Sequence, residues 1–213
     1  MSAKKVSVKE MKHDGLVDAV AASASFFQRH QLGLIVLAAA VVAAAVVFGA
    51  FSYRASSRVT SAAEALSAAQ SEQGLKAVYE NYPETPSAPL ALIQAAALAF
   101  SEGDYGSART TYLLFREKYP EHLLAPFAQN GIASTLEAEG RWDEAIENYN
   151  LVIARYPDSA LAPEAAFNRG RALLEAGRAD EARPVFAELF QRYPESPYSL
   201  LARDEWVALG YSQ

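Results

Sequence analysis

Apolar residues fall into two regimes along this chain. From 32 to 51 the sequence runs for 20 residues without a charge, most of them Leu, Ile, Val, Phe or Ala. At a rise of about 1.5 Å per residue, a helix of that length spans roughly 30 Å, the thickness of a bilayer's hydrocarbon layer. Polar groups flank the run, Arg29-His30-Gln31 before it and Tyr53-Arg54 after it. Another 31 residues precede it, and it exceeds the ~7–15 apolar residues of a cleavable signal core. The pattern therefore predicts an uncleaved signal-anchor over 32–53, in preference to a cleaved leader or a buried soluble helix. Residues 14–31 are mildly amphipathic (Leu16, Val17, Val20, Phe26, Phe27) and read as a short interfacial helix. For residues 1–13 a disordered tail is the alternative.

Beyond residue 54 apolar positions recur at helical spacing, punctuated by Gly and Pro. Tyr-Pro occurs at Tyr82-Pro83, Tyr119-Pro120, Tyr156-Pro157 and Tyr193-Pro194, at intervals of 37 residues. Gly103, Gly140 and Gly177 keep the same interval, as do Ala108, Ala145 and Ala182, and the aromatics Tyr112, Tyr149 and Phe186. A fixed period in several residue types is the signature of stacked supersecondary units.

Each unit reads as two helices. The first is expected near 89–102, 126–139 and 163–176, opening at Pro89, Pro126 or Pro163, where proline's fixed φ suits a first turn. The glycines close it, since they accept the left-handed conformation at a helix end. Acidic residues follow (Asp104; Asp143, Glu144; Asp180, Glu181) and favour the positive end of the second helix. That helix carries Ala, an aromatic four residues on, then Phe115, Val152 or Leu189, one apolar stripe with alanine where two helices approach closely. Tyr-Pro ends it, because proline cannot continue the ladder and disfavours helix in the residue before it. Ahead of the repeats, Ala62, Ala63, Leu66 and Ala69 and then Leu75, Val78 and Tyr79 predict a leading hairpin over 54–83, its first helix continuing out of the span. Residues 197–209 (Tyr198, Leu201, Trp206, Leu209) predict a capping helix with Arg203, Asp204 and Glu205 outward, as a terminal unit requires.

These features resemble the tetratricopeptide repeat (TPR). Ala108, Tyr112, Phe115 and Pro120 match that family's second helix, as do Ala145, Tyr149, Val152, Pro157 and Ala182, Phe186, Leu189, Pro194. Its glycine appears as Gly170 but is replaced by Ala96 and Ala133; its tryptophan is absent, and Arg169 stands where leucine is usual. Three residues per unit are extra relative to that family. Pro157-Asp158-Ser159 and Pro194-Glu195-Ser196 look like the Tyr-Pro-x-Ser variant of envelope proteins. The resemblance implies an all-α protein: a transmembrane helix, then a right-handed α-solenoid with repeats at about 84–120, 121–157 and 158–194, capped by 197–213. It also implies a protein-binding groove lined by the first helices. Carried over position by position, that groove holds Leu90, Ile93, Ala97 and Phe100; Phe127, Asn130, Ser134 and Glu137; and Glu164, Phe167, Arg171 and Glu175. For Phe100, Phe127 and Phe167 a core role is an equal alternative. A mixed wall of this kind favours apolar or extended segments of another protein.

Charge and candidate chemistry narrow the function. Formal net charge is −6, with five basic and three acidic residues before 32 and 14 basic and 22 acidic after 53. An acidic domain repels phosphate backbones, so no nucleic acid partner is expected. The basic excess before the span predicts a cytoplasmic N-terminus and an exported domain, periplasmic in a bacterium with two membranes. There is no cysteine, which excludes disulfides, thiolate metal sites and cysteine nucleophiles. The histidines (His13, His30, His122) are scattered, and the acidic run Glu137, Glu139, Asp143, Glu144 reads as solvated surface rather than a catalytic pair. Neither an enzyme, a cofactor nor a small-molecule substrate is expected.

The layout resembles the bacterial ancillary Sec-translocon subunit family, in the entry segment Val17-Asp18-Ala19-Val20 … Phe26-Phe27 leading into one span. That resemblance implies translocon subunits and periplasmic chaperones as partners, at the inner membrane. The regular Tyr-Pro-x-Ser units look more like the outer-membrane-assembly lipoproteins and the cell-division coordinator that works with the Tol system. Those families imply an envelope assembly or division scaffold.

Overall fold

The computed structural model of the chain describes residues 8–208 and 210. Among them are nine helices and no strand: α1 (Val8–Ala68), α2 (Glu72–Asn81), α3 (Ser87–Ser101), α4 (Tyr105–Lys118), α5 (Ala125–Ala138), α6 (Trp142–Arg155), α7 (Ala162–Glu175), α8 (Ala179–Arg192) and α9 (Pro197–Ala208). Contacts divide the chain into two units, one up to Ser57 and one from Arg58 on.

The first unit is helical from Val8, so the tail alternative fails for residues 8–13; residues 1–7 and Leu209 lie outside the described part. Continuous helix here follows from the sequence: between Val8 and Ser57 there is no proline, and alanine, the best helix former, dominates the middle. The segment Arg29–Ala68 is long and apolar enough to cross a membrane, and none of its most apolar stretch is buried. Leu32, Ile35, Val42, Val46, Phe48 and Phe51 all stand exposed.

In the second unit each helix packs on the next from α2 to α8, and α9 packs on both α7 and α8. The 37-residue signals each acquire a structural reason. Gly103, Gly140 and Gly177 take φ of 83°, 72° and 73°. At each, the glycine N–H bonds a carbonyl three residues back, and the next N–H bonds one five back (Asp104 to Ala99, 2.9 Å; Arg141 to Leu136, 2.9 Å; Arg178 to Leu173, 2.8 Å). That pair of bonds satisfies carbonyls the helix end would otherwise leave open. At the other seam, Tyr82, Tyr119, Tyr156 and Tyr193 cap α2, α4, α6 and α8, each donating its N–H four residues back. A tight turn follows, and Ser159 and Ser196 accept from the N–H two residues on. The Tyr119 and Tyr193 hydroxyls reach back one repeat to the carbonyls of Pro83 (3.2 Å) and Pro157 (3.1 Å).

The first helices begin earlier than proline alone predicts: Pro126 and Pro163 are second residues and Pro89 the third. Proline is tolerated through the first turn because no N–H there has an intrahelical partner. The stripe Ala108, Tyr112, Phe115, Ala145, Tyr149, Val152, Ala182, Phe186, Leu189 is buried throughout and belongs to one core. Gly170 permits the closest approach in it. A Cβ there would lie 2.3 Å from the Phe186 ring, and one at Gly131 would lie 2.5 Å from Tyr112. In the leading hairpin Ala62 is buried but Ala63 is exposed, and on α9 Leu200, Leu201 and Val207 join Arg203 and Asp204 outside. A single helix packed on one side only leaves roughly half its circumference uncovered.

Candidate functional site

The first-helix face runs across α3, α5, α7 and on to α9, whose contact with α7 continues the series. It changes character along its length. At the α3 end it is apolar: Leu90 is 41% exposed, Ala97 half-buried and Ile93 buried. Phe100 is half-buried with its ring 5.3 Å from that of Tyr105, so it packs at the α3–α4 corner. Phe127 opens α5 at 39% exposure, its ring edge-on to Tyr112 at 6.3 Å. Of the three phenylalanines left between core and groove, Phe167 goes to the core and Phe127 stays on the surface.

At the α5–α7–α9 end the face is polar and bonded together. Asn130, only 7% exposed, donates through Nδ2 to Glu164 Oε1 at 3.1 Å. The other oxygen of Glu164 accepts from the Tyr198 hydroxyl at 2.9 Å. Each step spans 34 residues, so the two bonds form rungs between successive first helices, with α9 standing in for a fourth. Two turns further along α5, Glu137 accepts from the Tyr149 hydroxyl, which also lies 3.3 Å from Ser134 Oγ. Arg171 approaches Glu137 at 3.9 Å and lies 5.8 Å above the Phe167 ring. Phe167 in turn faces Tyr198, ring centres 6.0 Å apart. Burial, then the charge of Glu137, pushes the Tyr149 phenol well above its ordinary range. Burial and the bond to Glu164 push Tyr198 up as well. Both hydroxyls therefore stay protonated donors near neutral pH.

Of the groove positions, the structure thus ties together Asn130, Ser134, Glu137, Glu164, Phe167 and Arg171. Leu90, Ile93 and Phe100 stand apart on α3, and Glu175 is exposed in the last turn of α7. Position-by-position transfer missed Tyr149 and Tyr198. Tyr149 sits in a core series whose third member is Phe186, and only its hydroxyl, which phenylalanine lacks, signals a polar role. The acidic run 137–144 disperses: Glu137 to Tyr149, Glu139 to Arg109 and Arg141, Glu144 to Arg141, and Asp143 to Arg178 at 2.7 Å. The last of these joins one repeat to the next. Arg141 and Arg178, at the starts of α6 and α8, each fork onto a glutamate three residues on.

The model of the tetratricopeptide repeat family matches residues 93–160 and 130–197. Among solved structures, the fold is similar to a tetratricopeptide repeat protein from Parabacteroides merdae, with a TM-score of 0.53 at 18% identity over 65% of this chain. The aligned part spans 52% of that protein, about half its length. It is also similar to BtubC (BKLC) from P. vanneervenii, with a TM-score of 0.51 at 18% identity, over 73% of this chain and 65% of that one. A search of curated proteins gives no match. Residues 93–197 thus match the tetratricopeptide repeat model, and the fold is a TPR-like helical repeat with an apolar N-terminal helix.

Proposed function

We propose that this protein is a membrane-anchored scaffold that holds other proteins along the first-helix face of its repeats. The observation that carries the reading is a pairing: an apolar stretch of α1 with no protein covering it, and a repeat array whose first-helix face keeps Leu90 and Phe127 open. Tetratricopeptide repeats supply such faces to protein partners, because stacked repeats build extended binding surfaces. In this reading residues 32–53 span the bacterial inner membrane, residues 1–31 stay in the cytoplasm and residues 54–213 lie in the periplasm. The partners are translocon subunits and periplasmic chaperones serving secreted or envelope proteins. The regular Tyr-Pro-x-Ser seams favour a second reading, an envelope assembly or cell-division scaffold of the Tol-associated type.

The absence of cysteine makes topology directly testable. In intact bacterial cells, Ser101→Cys should react with a membrane-impermeant maleimide and Ser2→Cys should not; the reverse pattern ends the periplasmic reading. A photocrosslinker at Phe127 should capture translocon subunits or periplasmic chaperones. Recovery of Tol or division proteins in their place would favour the second reading.

A further inference from the structure

Among the described residues, one buried side-chain polar atom has no hydrogen-bond partner: Oδ1 of Asn130. Its neighbour Gln129 shows what a finished buried amide looks like, accepting from Arg116 at 3.1 Å and donating to Asn148 at 2.9 Å. Asn130 is buried too, at 7% exposure, yet only its NH₂ end is used, on Glu164. An acceptor left unmade in a buried site bears its full desolvation cost. A side chain that keeps such an acceptor beside a carboxylate is arranged for a donor supplied from elsewhere.

Glu164 has the matching deficit. Both of its partners, Asn130 and Tyr198, are neutral donors. No Lys, Arg or His among the described residues lies within ion-pair distance of it, whereas Glu137, two turns away, has Arg171. A carboxylate carries roughly four acceptor positions, so two remain after these bonds. The site is thus rich in acceptors, short of one positive charge and bordered by the aromatic rings of Phe167 and Tyr198.

We infer that Asn130 and Glu164 form a subsite for an arginine side chain of an extended partner segment. The guanidinium donates to the free positions of the Glu164 carboxylate and, after a small turn of the amide, to Asn130 Oδ1. An arginine is favoured over a lysine because its planar fork can serve both acceptors at once. Apolar side chains of the same segment then lie towards Phe127 and Leu90. The net negative charge beyond residue 53 steers such a segment in. The inference rests on the proposed groove reading and adds its chemical preference.

The test uses the full chain in nanodiscs and a short acetylated peptide of alternating serine and leucine with a central pair of arginines. The control peptide carries citrulline at those positions, neutral but nearly isosteric. The arginine peptide should bind about tenfold or more tightly than the citrulline peptide, as expected for a charge-assisted pair out of bulk water. Glu164→Gln should erase that difference while leaving the melting temperature close to that of the parent. Asn130→Leu should reduce the preference for arginine, and Glu147→Gln, exposed on the second-helix side in α6, should leave it intact. Equal binding of the two peptides, weakened alike by Phe127→Ala, overturns the arginine subsite and leaves the groove reading standing. If neither peptide binds, both are overturned.

Discussion

Helix α3 and the 32–51 stretch of α1 are both rich in alanine, mixed with larger aliphatic residues and phenylalanine, and neither carries a charge. Their surroundings are opposite. In α3, Ala88, Ala91, Leu92, Ala95, Ala96 and Ala99 are buried against other helices of the repeat unit. In α1, the apolar window has no buried residue. A helix hydrophobic all round must be covered by protein or by lipid. The difference lies in what each helix is given to pack against. Helix α3 has neighbours on both sides in sequence, brought back by seams at Tyr82-Pro83 and Gly103. The 32–51 stretch has no glycine–proline punctuation to fold the chain back on it, and Gly33 and Gly49 have nothing within 4 Å of a would-be Cβ. Small residues in α3 fill a seam between helices, whereas in α1 they leave a smooth rod suited to acyl chains.

The largest effects come from placing charge in each helix. Val42→Arg with Val46→Arg should release the chain from membranes in alkaline carbonate extraction, because each central charge costs about 3 kcal/mol of insertion. Leu92→Arg should leave membrane retention intact but unfold the repeats, seen as lost helicity and rapid proteolysis beyond residue 58. An unpaired buried charge exceeds what a marginally stable domain tolerates. Removing bulk gives the next contrast. Leu92→Ala should lower stability by about 2–5 kcal/mol in a thermal melt of the detergent-solubilised chain. Val42→Ala should stay within roughly 0.5 kcal/mol.

Adding bulk sharpens the contrast further. Gly170→Ala drives a methyl into the fully buried Phe186 ring and should cost about 1–3 kcal/mol. Gly33→Ala should cost nothing. The smallest effect is electrostatic. Glu72, in the first turn of α2, is held below its ordinary value of 4.5, chiefly by the hydrogen bond from Lys76 and then by that from Ser107 of α4. A depressed carboxylate contributes stability that is present above its unfolded value and lost as pH falls through its folded one. Melting temperature should therefore fall less steeply below about pH 4.5 in Glu72→Gln than in the parent, a modest change because surface pairs contribute little.

Fold was far more legible in the sequence than site, and the reason is physical. A glycine held at positive φ and a proline that stops a helix act through the backbone, so their spacing alone places the turns. Tyr112, Tyr149 and Phe186 are interchangeable as core, so periodicity located their rings correctly. Periodicity is silent about a hydroxyl's partner, so it does not reveal the bonds of Tyr149 to Glu137 and of Tyr198 to Glu164. The rungs from Asn130 to Glu164 to Tyr198 advance by 34 residues while the backbone repeats by 37. Each therefore joins non-equivalent positions of neighbouring units, a relation invisible when repeats are aligned with one another. Exposed apolar residues on α9 escaped for another reason: a helical stripe fixes which residues are apolar but not how many neighbours are there to cover them.

The contrast between the two apolar helices is tested most directly by spin labels placed singly at residues 32 to 53 of the full chain in nanodiscs. Each label is read for collision with molecular oxygen and with a water-soluble nickel chelate. Oxygen access should peak, and chelate access reach its minimum, near Val42, with both trends reversing towards Leu32 and Tyr53. Chelate access that stays high along the whole run, or a run shielded from both quenchers as a buried site such as Leu92 should be, would contradict the assignment of this stretch to lipid.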